Sequence, residues 1–224
     1  VEIVSVPYGA FRSKLETAIP RGNGPDLFIA AHDGLGKWVS MDLLEPHQGS
    51  LEGHLTIAQE AMVWEAGRWG WPLAYKSVLL LYDPTETREP PRTTDELIAR
   101  AKERTGGGHY GLAYEASTPY YHGVWAHGFG AYTVPDQGPV TLDDAAHRAA
   151  YAFSQRLMID EGILPLQPTA ELIDTLYREG KTDFVISGPW FIAGMDRPVA
   201  AAPLPIVSET GERARPFLTV EGIF

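Results

Sequence analysis

Residues 24–36 constrain the fold more than any other stretch of the chain. They comprise a turn, a short apolar strand and a polar segment, in that order. A glycine and a proline begin the turn, and residues 27–31 are short and apolar enough for a buried strand. His32 and Asp33 then open the next helix. Because ligands of open α/β sheets bind where strands end, the pattern predicts a strand that delivers polar side chains to a cleft.

The remainder of the chain alternates between strand patterns and helix patterns. Apolar spacing predicts strands at 1–6, 27–31 and 184–186, and helices at 11–19, 56–64, 94–104, 142–161 and 170–178. Thr94 is the predicted N-cap of its helix. Alternating strands and helices predict an α/β fold with open, largely parallel sheets. The length of 224 residues suffices for two lobes of roughly 100 residues each.

Composition excludes several classes of protein. The 18 Lys and Arg residues against 29 Asp and Glu give a net charge of −11, which argues against nucleic acid or an anionic membrane as a partner. The absence of cysteine excludes disulfides, thiol catalysis and thiolate metal sites. The longest apolar run, residues 77–82, is far shorter than the roughly 20 residues of a transmembrane helix.

Motifs for catalysis or for cofactor binding are missing from the sequence. There is no nucleophile elbow, no zinc-protease motif and no phosphate-binding loop. His122 and His127 are five residues apart, which is the wrong spacing for one face of a helix, and zinc needs three or four convergent ligands. We therefore predict no catalytic residue, no metal and no cofactor.

Three further segments carry local motifs, in order along the chain. The first, residues 72–83, is an apolar strand followed by Glu-Pro-Pro-Arg-Thr-Thr-Asp-Glu-Leu at 89–97. The second, residues 111–121, ends in Thr-Pro-Tyr-Tyr, and the third, residues 179–190, ends in Ile-Ser-Gly-Pro-Trp. Together with residues 24–36, these segments resemble the maltose-binding protein family, the periplasmic sugar receptors of ABC importers.

The resemblance implies an α/β fold of the periplasmic-binding-protein type, with two lobes joined by hinge strands. Residues 1–74 with 219–224 would form the N-terminal lobe, and 75–218 would form the C-terminal lobe with the hinge crossings. Relative to the family, the chain would be truncated at both ends, without the first strand and helix of the N-terminal lobe and without the terminal helical region. Closure of the lobes over a ligand would be a hinge motion.

The function implied by the resemblance is non-enzymatic. The chain would be a periplasmic or otherwise extracytoplasmic solute-binding protein, which captures a maltodextrin-like oligosaccharide and delivers it to the permease subunits of an ABC transporter. An alternative is a degenerate solute-binding domain that docks on a permease, or is tethered to the membrane by fusion to one, and does not bind maltose. A third reading is a carbohydrate-active hydrolase.

Five residues match ligand-contacting positions of the family. Trp190 matches a stacking tryptophan, although a core position would also explain it. Tyr120 and Tyr121 match aromatic ligand contacts, and packing under a loop is their alternative. Asp33 matches a sugar-binding carboxylate or, alternatively, caps a helix. Lys76 stands at a polar position of the hinge strand.

Several positions depart from the maltose receptors. Ala30 replaces an aromatic residue, Gly34 replaces an arginine, Lys76 replaces a glutamate, and Thr118 replaces an acidic residue. Near Phe11, Ala10 and Arg12 replace polar residues of the family motif. The loss of one charged contact typically costs about 2 to 3 kcal/mol, and a micromolar site is worth about 8 kcal/mol. The sequence therefore predicts weak or absent binding of maltose itself, and leaves a different sugar open.

Overall fold

The protein divides into two compact units. The structure, a computed structural model, describes residues 2–134 and 139–224. One unit comprises Val1–Lys76 and Leu218–Phe224, and the other comprises Ser77–Phe217. We call them the discontinuous unit and the inserted unit, because the second interrupts the first in the sequence.

The helices and strands are numbered in chain order. The helices are α1 (Tyr8–Ala18), α2 (Leu35–Ser40), α3 (Thr56–Glu60), α4 (Thr94–Arg104), α5 (Pro119–Gly128), α6 (Ala145–Gln155), α7 (Ala170–Arg178) and α8 (Pro189–Ile192). The strands are β1 (Ile29–Ala31), β2 (Val63–Trp64), β3 (Gly67–Arg68), β4 (Trp71–Lys76), β5 (Leu79–Tyr82), β6 (Tyr110–Ala113), β7 (Thr182–Ser187), β8 (Ala200–Ala202) and β9 (Thr219–Ile223).

The discontinuous unit is built on a three-stranded sheet. Strand β9 lies between β1 and β4 and is antiparallel to both. Its core is aromatic: the ring centroids of Phe28 and Phe224 lie 5.2 and 5.3 Å from that of Trp38, which is only 1% exposed. Burial of such large rings contributes strongly to the stability of a hydrophobic core.

The inserted unit has three layers. Its four-stranded sheet has the order β6-β7-β5-β8. Adjacent strand residues point to opposite faces, so Leu80 packs in the cluster that includes α4, α5 and α6, whereas Leu81 packs with Tyr177 of α7 and Phe191 of α8. Helices therefore cover both faces of this sheet, which confirms the predicted α/β class.

The prediction of largely parallel sheets is wrong. Among the named strands of the described ranges, only β6 and β7 form a parallel pair. Neighbouring parallel strands normally require a crossover helix between them. Strand β9 instead returns to the first sheet after the whole inserted unit, and it pairs antiparallel with β1 and β4.

The strand predicted at 1–6 is also wrong. Residues 2–7 are irregular, and Ile3 is 90% exposed. Alternating apolar residues form a strand only where another strand offers hydrogen bonds, and no strand within the described residues pairs with residues 2–7.

Most helix predictions are confirmed, with shifted ends. Helix α7 has the predicted bounds, and so does α4, but the N-cap of α4 is Thr93, whose Oγ1 accepts a hydrogen bond from the Glu96 amide at 3.2 Å. The helix predicted at 142–161 begins only at Ala145, because Asp144 caps it, and it widens into a π-helical turn at Arg156–Asp160. The helix predicted at 56–64 ends at Glu60.

Candidate functional site

The three aromatic residues predicted to contact the ligand lie together in the inserted unit. Pro119 begins α5 and Pro189 begins α8, so Tyr120, Tyr121 and Trp190 all stand in first turns of helices. The ring centroid of Tyr120 lies 5.5 Å from that of Tyr121, 6.4 Å from Trp190 and 6.2 Å from Phe217, which stacks on it. We call these four residues the aromatic cluster. Phe217 is a member that the sequence analysis missed.

The members of the aromatic cluster differ in exposure. The Trp190 side chain is 43% exposed and Tyr120 is half-buried, whereas Tyr121 is only 6% exposed. Trp190 and Tyr120 therefore present surface to solvent, whereas Tyr121 is buried in the protein.

Two glycines make the positions of these rings possible. A Cβ atom on Gly188 would lie 2.3 Å from the Trp190 ring, and one on Gly123 would lie 2.4 Å from the Phe217 ring. Real Cβ contacts are never this short, so a side chain at either position would displace an aromatic ring. The glycine in the Ser-Gly-Pro-Trp motif thus has a steric role that its sequence context alone does not reveal.

Polar groups surround a small cavity beside Trp190. The cavity has a volume of about 90 Å³ and is lined by Glu115, Tyr121, Asp174, Ser187 and Trp190, among others. The Tyr121 hydroxyl lies 3.5 Å from Ser187 Oγ, and burial raises the pKa of that tyrosine to about 12. Tyr121 is therefore a neutral hydroxyl at any physiological pH, able to donate or to accept a hydrogen bond.

Two acidic residues of this cavity were missed by the sequence analysis. Burial raises the pKa of the Glu115 carboxyl and of the Asp174 carboxyl, and the nearby Glu171 charge adds repulsion to both. Glu115 follows the end of β6, which is a position where strand-end residues face ligands. That position was the signal available in the sequence, but nothing local distinguishes Glu115 from an ordinary loop carboxylate.

The other two predicted residues, Asp33 and Lys76, belong to the discontinuous unit. Strands β1 and β4 both run antiparallel to β9, with Ala31 and Ala74 opposite the same residue, Glu221. The carboxyl ends of β1 and β4 therefore lie at the same end of the sheet, where Lys76 is the last residue of β4 and Asp33 follows β1. Lys76 forms an ion pair with Glu221.

The alternative role of Asp33 as a helix N-cap is wrong. Its carboxylate bonds to Arg12, and Gly34 stands at the N-cap of α2 without a side-chain hydrogen bond. The preceding residue, His32, accepts a hydrogen bond at Nδ1 from the Val220 amide at 3.1 Å, which ties this turn to β9.

The histidines considered in the sequence analysis have structural partners. His122 stacks on Tyr151 with 4.2 Å between ring centroids, and His127 Nδ1 lies 2.7 Å from the carbonyl oxygen of Arg215. Within residues 2–134 and 139–224, no group of three or more His, Cys, Asp or Glu residues is arranged to hold a metal ion. In the same residues, no helix has the length and apolar character needed to cross a membrane.

Comparison with known proteins places this arrangement in a family. Residues 1–220 match the model of the bacterial extracellular solute-binding proteins. The maltotriose-binding protein of Pyrococcus abyssi (strain GE5 / Orsay) is 31% identical over an alignment that covers 100% of this chain and 52% of the relative. A maltooligosaccharide ABC transporter solute-binding lipoprotein of Streptococcus pneumoniae (strain ATCC BAA-255 / R6) is 26% identical, over 79% of this chain and 45% of the relative.

A solved structure shows the same fold. The Thermus thermophilus maltotriose-binding protein, bound with maltotriose, superposes with a TM-score of 0.88 at 26% identity, covering 100% of this chain and 64% of that one. The chain spans about half the length of the curated relatives named above. These matches confirm the predicted periplasmic-binding-protein-like fold, and their names describe binding proteins. The chain belongs to the family of bacterial extracellular solute-binding proteins.

Proposed function

We propose that this chain is the solute-binding part of an ABC sugar importer and binds a maltotriose-like oligosaccharide without changing it chemically. The observation that carries the proposal is the aromatic cluster, in which the exposed Trp190 ring adjoins a cavity lined by Glu115, Asp174 and the Tyr121 hydroxyl. Pyranose rings have an apolar face and a rim of hydroxyls, so their recognition needs flat aromatic surface beside polar groups. Membership in the family and the names of the relatives support the same ligand class.

Each predicted residue has a proposed role. Trp190 stacks on a sugar ring, and Tyr120 extends the aromatic surface, because both present ring area to solvent. Tyr121 is buried, and it supports the other two rings while its hydroxyl faces the cavity. Asp33 and Lys76 supply polar contacts to sugar hydroxyls.

The proposal extends to the organisation and location of the protein. Residues 1–74 with 219–224 act as one lobe and residues 75–218 as the other. The liganded form is recognised by the permease subunits of the transporter, on the extracytoplasmic side of the membrane. The family description and the lipoprotein relative support this location. No enzymatic step is part of the proposal, and the named relatives are binding proteins.

Isothermal titration calorimetry of the 224-residue chain tests the proposal. Maltotriose is titrated first, then maltose, with the β-linked cellotriose as control. We expect a micromolar or tighter dissociation constant for maltotriose, equivalent to about 8 kcal/mol. We expect maltose to bind at least about tenfold more weakly, because Gly34 and Thr118 lack the charged groups of a maltose-type site. Absence of binding to every α-linked glucan would overturn the proposal in favour of a degenerate domain, and breakdown of maltotriose during titration would favour a hydrolase.

A further inference from the structure

The turn between α1 and β1 contains the only asparagine of the sequence, Asn23, and a glycine follows it. Residues 21–27 are all exposed. The Asn23 amide donates to the Ala18 carbonyl at 3.0 Å, and the next backbone amide that donates along the chain is that of Phe28. Among the residues that the structure describes, none forms a hydrogen bond with the Asn23 side chain or with the Gly24 amide. The turn is therefore anchored only at its two ends, and its backbone between them faces water.

Packing requires the glycine that follows Asn23. A Cβ atom on Gly24 would lie 2.5 Å from Ile19 Cγ1 and 3.0 Å from Ile19 Cα. The second of these atoms belongs to the backbone, so rotation of the Ile19 side chain would not relieve the overlap. Glycine also leaves its own amide nitrogen without the steric shielding of a side chain. The fold thus keeps an unshielded amide nitrogen directly after an exposed carboxamide.

We propose that Asn23 is a site of spontaneous deamidation. The Gly24 amide nitrogen, after losing its proton to a base in solution, attacks Cγ of Asn23. The N–Cγ bond forms, the Cγ–Nδ2 bond breaks, and Nδ2 takes up a proton and leaves as ammonia. One water molecule then opens the resulting cyclic imide to an aspartyl or an isoaspartyl residue at position 23. Water is the only co-reactant, and no group is oxidised or reduced.

A second pair that ends in glycine shows why the structure, and not the dipeptide alone, decides reactivity. Asp33 and Gly34 could form the same imide by loss of water. Gly34 is buried in a 3₁₀ turn, however, and a Cβ atom on it would lie 2.4 Å from the Trp38 ring. Both carboxylate oxygens of Asp33 lie 2.6 Å from Arg12 Nη2. A carboxylate is a poorer electrophile than a carboxamide, and this backbone is packed against the core, so we expect the second pair to stay unmodified in the folded protein.

Deamidation changes both the charge and the chain length of the turn. Either product carries a carboxylate beyond the C-terminal end of α1, where the helix dipole places negative partial charge. The isoaspartyl product also adds Cβ to the backbone between the amide that bonds to Ala18 and strand β1. Helix α1 packs on the core through Leu15 and through the edge-to-face contact of Phe11 with Phe28. We therefore expect modification to lower the melting temperature.

Incubation of the folded 224-residue chain at mildly acidic and at mildly alkaline pH, followed by peptide mass mapping, tests the proposal. The peptide that contains position 23 should gain the mass difference between a carboxamide and a carboxyl group, and it should do so faster at alkaline pH. An isoaspartyl methyltransferase assay should label the same peptide. Asn23→Gln is the matched control, because its longer side chain would have to close a less favourable six-membered ring, and it should stay unlabelled at position 23.

The pair at Asp33 and Gly34 supplies an internal control. It should remain unlabelled in the folded chain and acquire label when the chain is unfolded in urea. Equal labelling of the two pairs in the folded chain would overturn the inference that the structure selects Asn23. A folded wild type that stays unmodified while a synthetic peptide of residues 19–29 deamidates would overturn the proposal itself. After long incubation, wild type should melt below Asn23→Gln treated in the same way, whereas equal melting temperatures would contradict the expected loss of stability.

Discussion

The two units hold their candidate ligand-binding groups by different physical means. In the inserted unit, the aromatic cluster is held by packing: Gly188 and Gly123 leave space that the Trp190 and Phe217 rings fill. In the discontinuous unit, Asp33 and Lys76 are held by ion pairs with Arg12 and Glu221. Packing at close range tolerates almost no change of volume, whereas an exposed ion pair such as Arg12–Asp33 tolerates rearrangement; the Lys76–Glu221 pair is only partly exposed.

If both groups contact the ligand as proposed, this difference predicts separate contributions to affinity and to specificity. A rigid aromatic surface loses little entropy when a sugar ring stacks on it, so it can contribute much of the binding free energy. Exposed charged groups contribute less free energy, but their hydrogen bonds distinguish one pattern of hydroxyls from another. This division predicts a larger loss of ligand affinity when the aromatic cluster is altered than when Asp33 is altered.

Replacement of Trp190 by alanine should have the largest effect on ligand affinity. Removal of an exposed stacking ring is expected to weaken maltotriose binding by about 2 to 4 kcal/mol, as for aromatic hot spots. Calorimetric titration measures the change. Tyr151→Ala is the matched control, because Tyr151 is 46% exposed and stacks on His122, outside the aromatic cluster. Equal losses in both variants would show that the effect is not specific to the cluster.

Substitution of Gly188 by alanine tests whether packing holds the tryptophan ring. The added methyl group overlaps the Trp190 ring, so we expect losses of about 1 to 3 kcal/mol in both maltotriose affinity and unfolding free energy. Calorimetry and urea unfolding report the two quantities. Gly194→Ala serves as control, since a Cβ there would be 3.6 Å from its nearest neighbour. If Gly188→Ala leaves binding unchanged, the ring position is not set by this contact.

The substitution Asp33→Asn probes the discontinuous unit. It keeps the shape of the side chain and removes the charge held by Arg12, so we expect maltotriose affinity to fall by about 1 to 2 kcal/mol with little change in melting temperature. The exposed Asp26→Asn exchange is the control. A loss larger than that of Trp190→Ala would reverse the division between affinity and specificity.

Replacement of Glu115 by glutamine should have the smallest effect. Unlike the substitutions above, it should raise the stability of the folded protein slightly. Burial raises the pKa of Glu115 in the folded protein, so the ionised carboxylate costs stability as pH rises through that raised pKa. The variant should melt slightly above wild type at pH 7, and this difference should vanish below the carboxyl pKa of the unfolded chain, near pH 4. Glu103→Gln, on the exposed side of α4, is the matched control for the loss of a carboxylate at the surface. A difference that is constant with pH would rule out this explanation.

The sequence predicted elements whose signals are local. Helix α7 was predicted with its observed bounds, and the structure shows Thr169 capping its N-terminus. The Gly-Pro-Trp motif predicted a turn immediately before Trp190, and the structure places Trp190 in the first turn of α8. Its role as a ligand contact, like those of Tyr120, Tyr121, Asp33 and Lys76, stays a prediction.

Features that depend on distant residues could not be predicted in this way. The partner of Asp33 lies 21 residues earlier in the sequence, and the requirement for Gly34 depends on the rotamer of Trp38. The antiparallel pairing of β9 depends on where the chain returns after the inserted unit. The raised pKa values of Glu115 and Asp174 depend on burial that only the assembled cavity provides.

The central position of β9 in its sheet has a consequence for the order of folding. The amide of Val220 bonds to His32, 188 residues away, so the first sheet cannot be completed until nearly all of the chain described here has been synthesised. Contacts between such distant residues are slow to form, because closing a long loop costs entropy before the pairing is gained. The inserted unit, whose two ends meet where Ser77 Oγ donates to the Phe217 carbonyl, brings residues 76 and 218 together. Early folding of the inserted unit would therefore shorten the search by which β9 finds its place between β1 and β4.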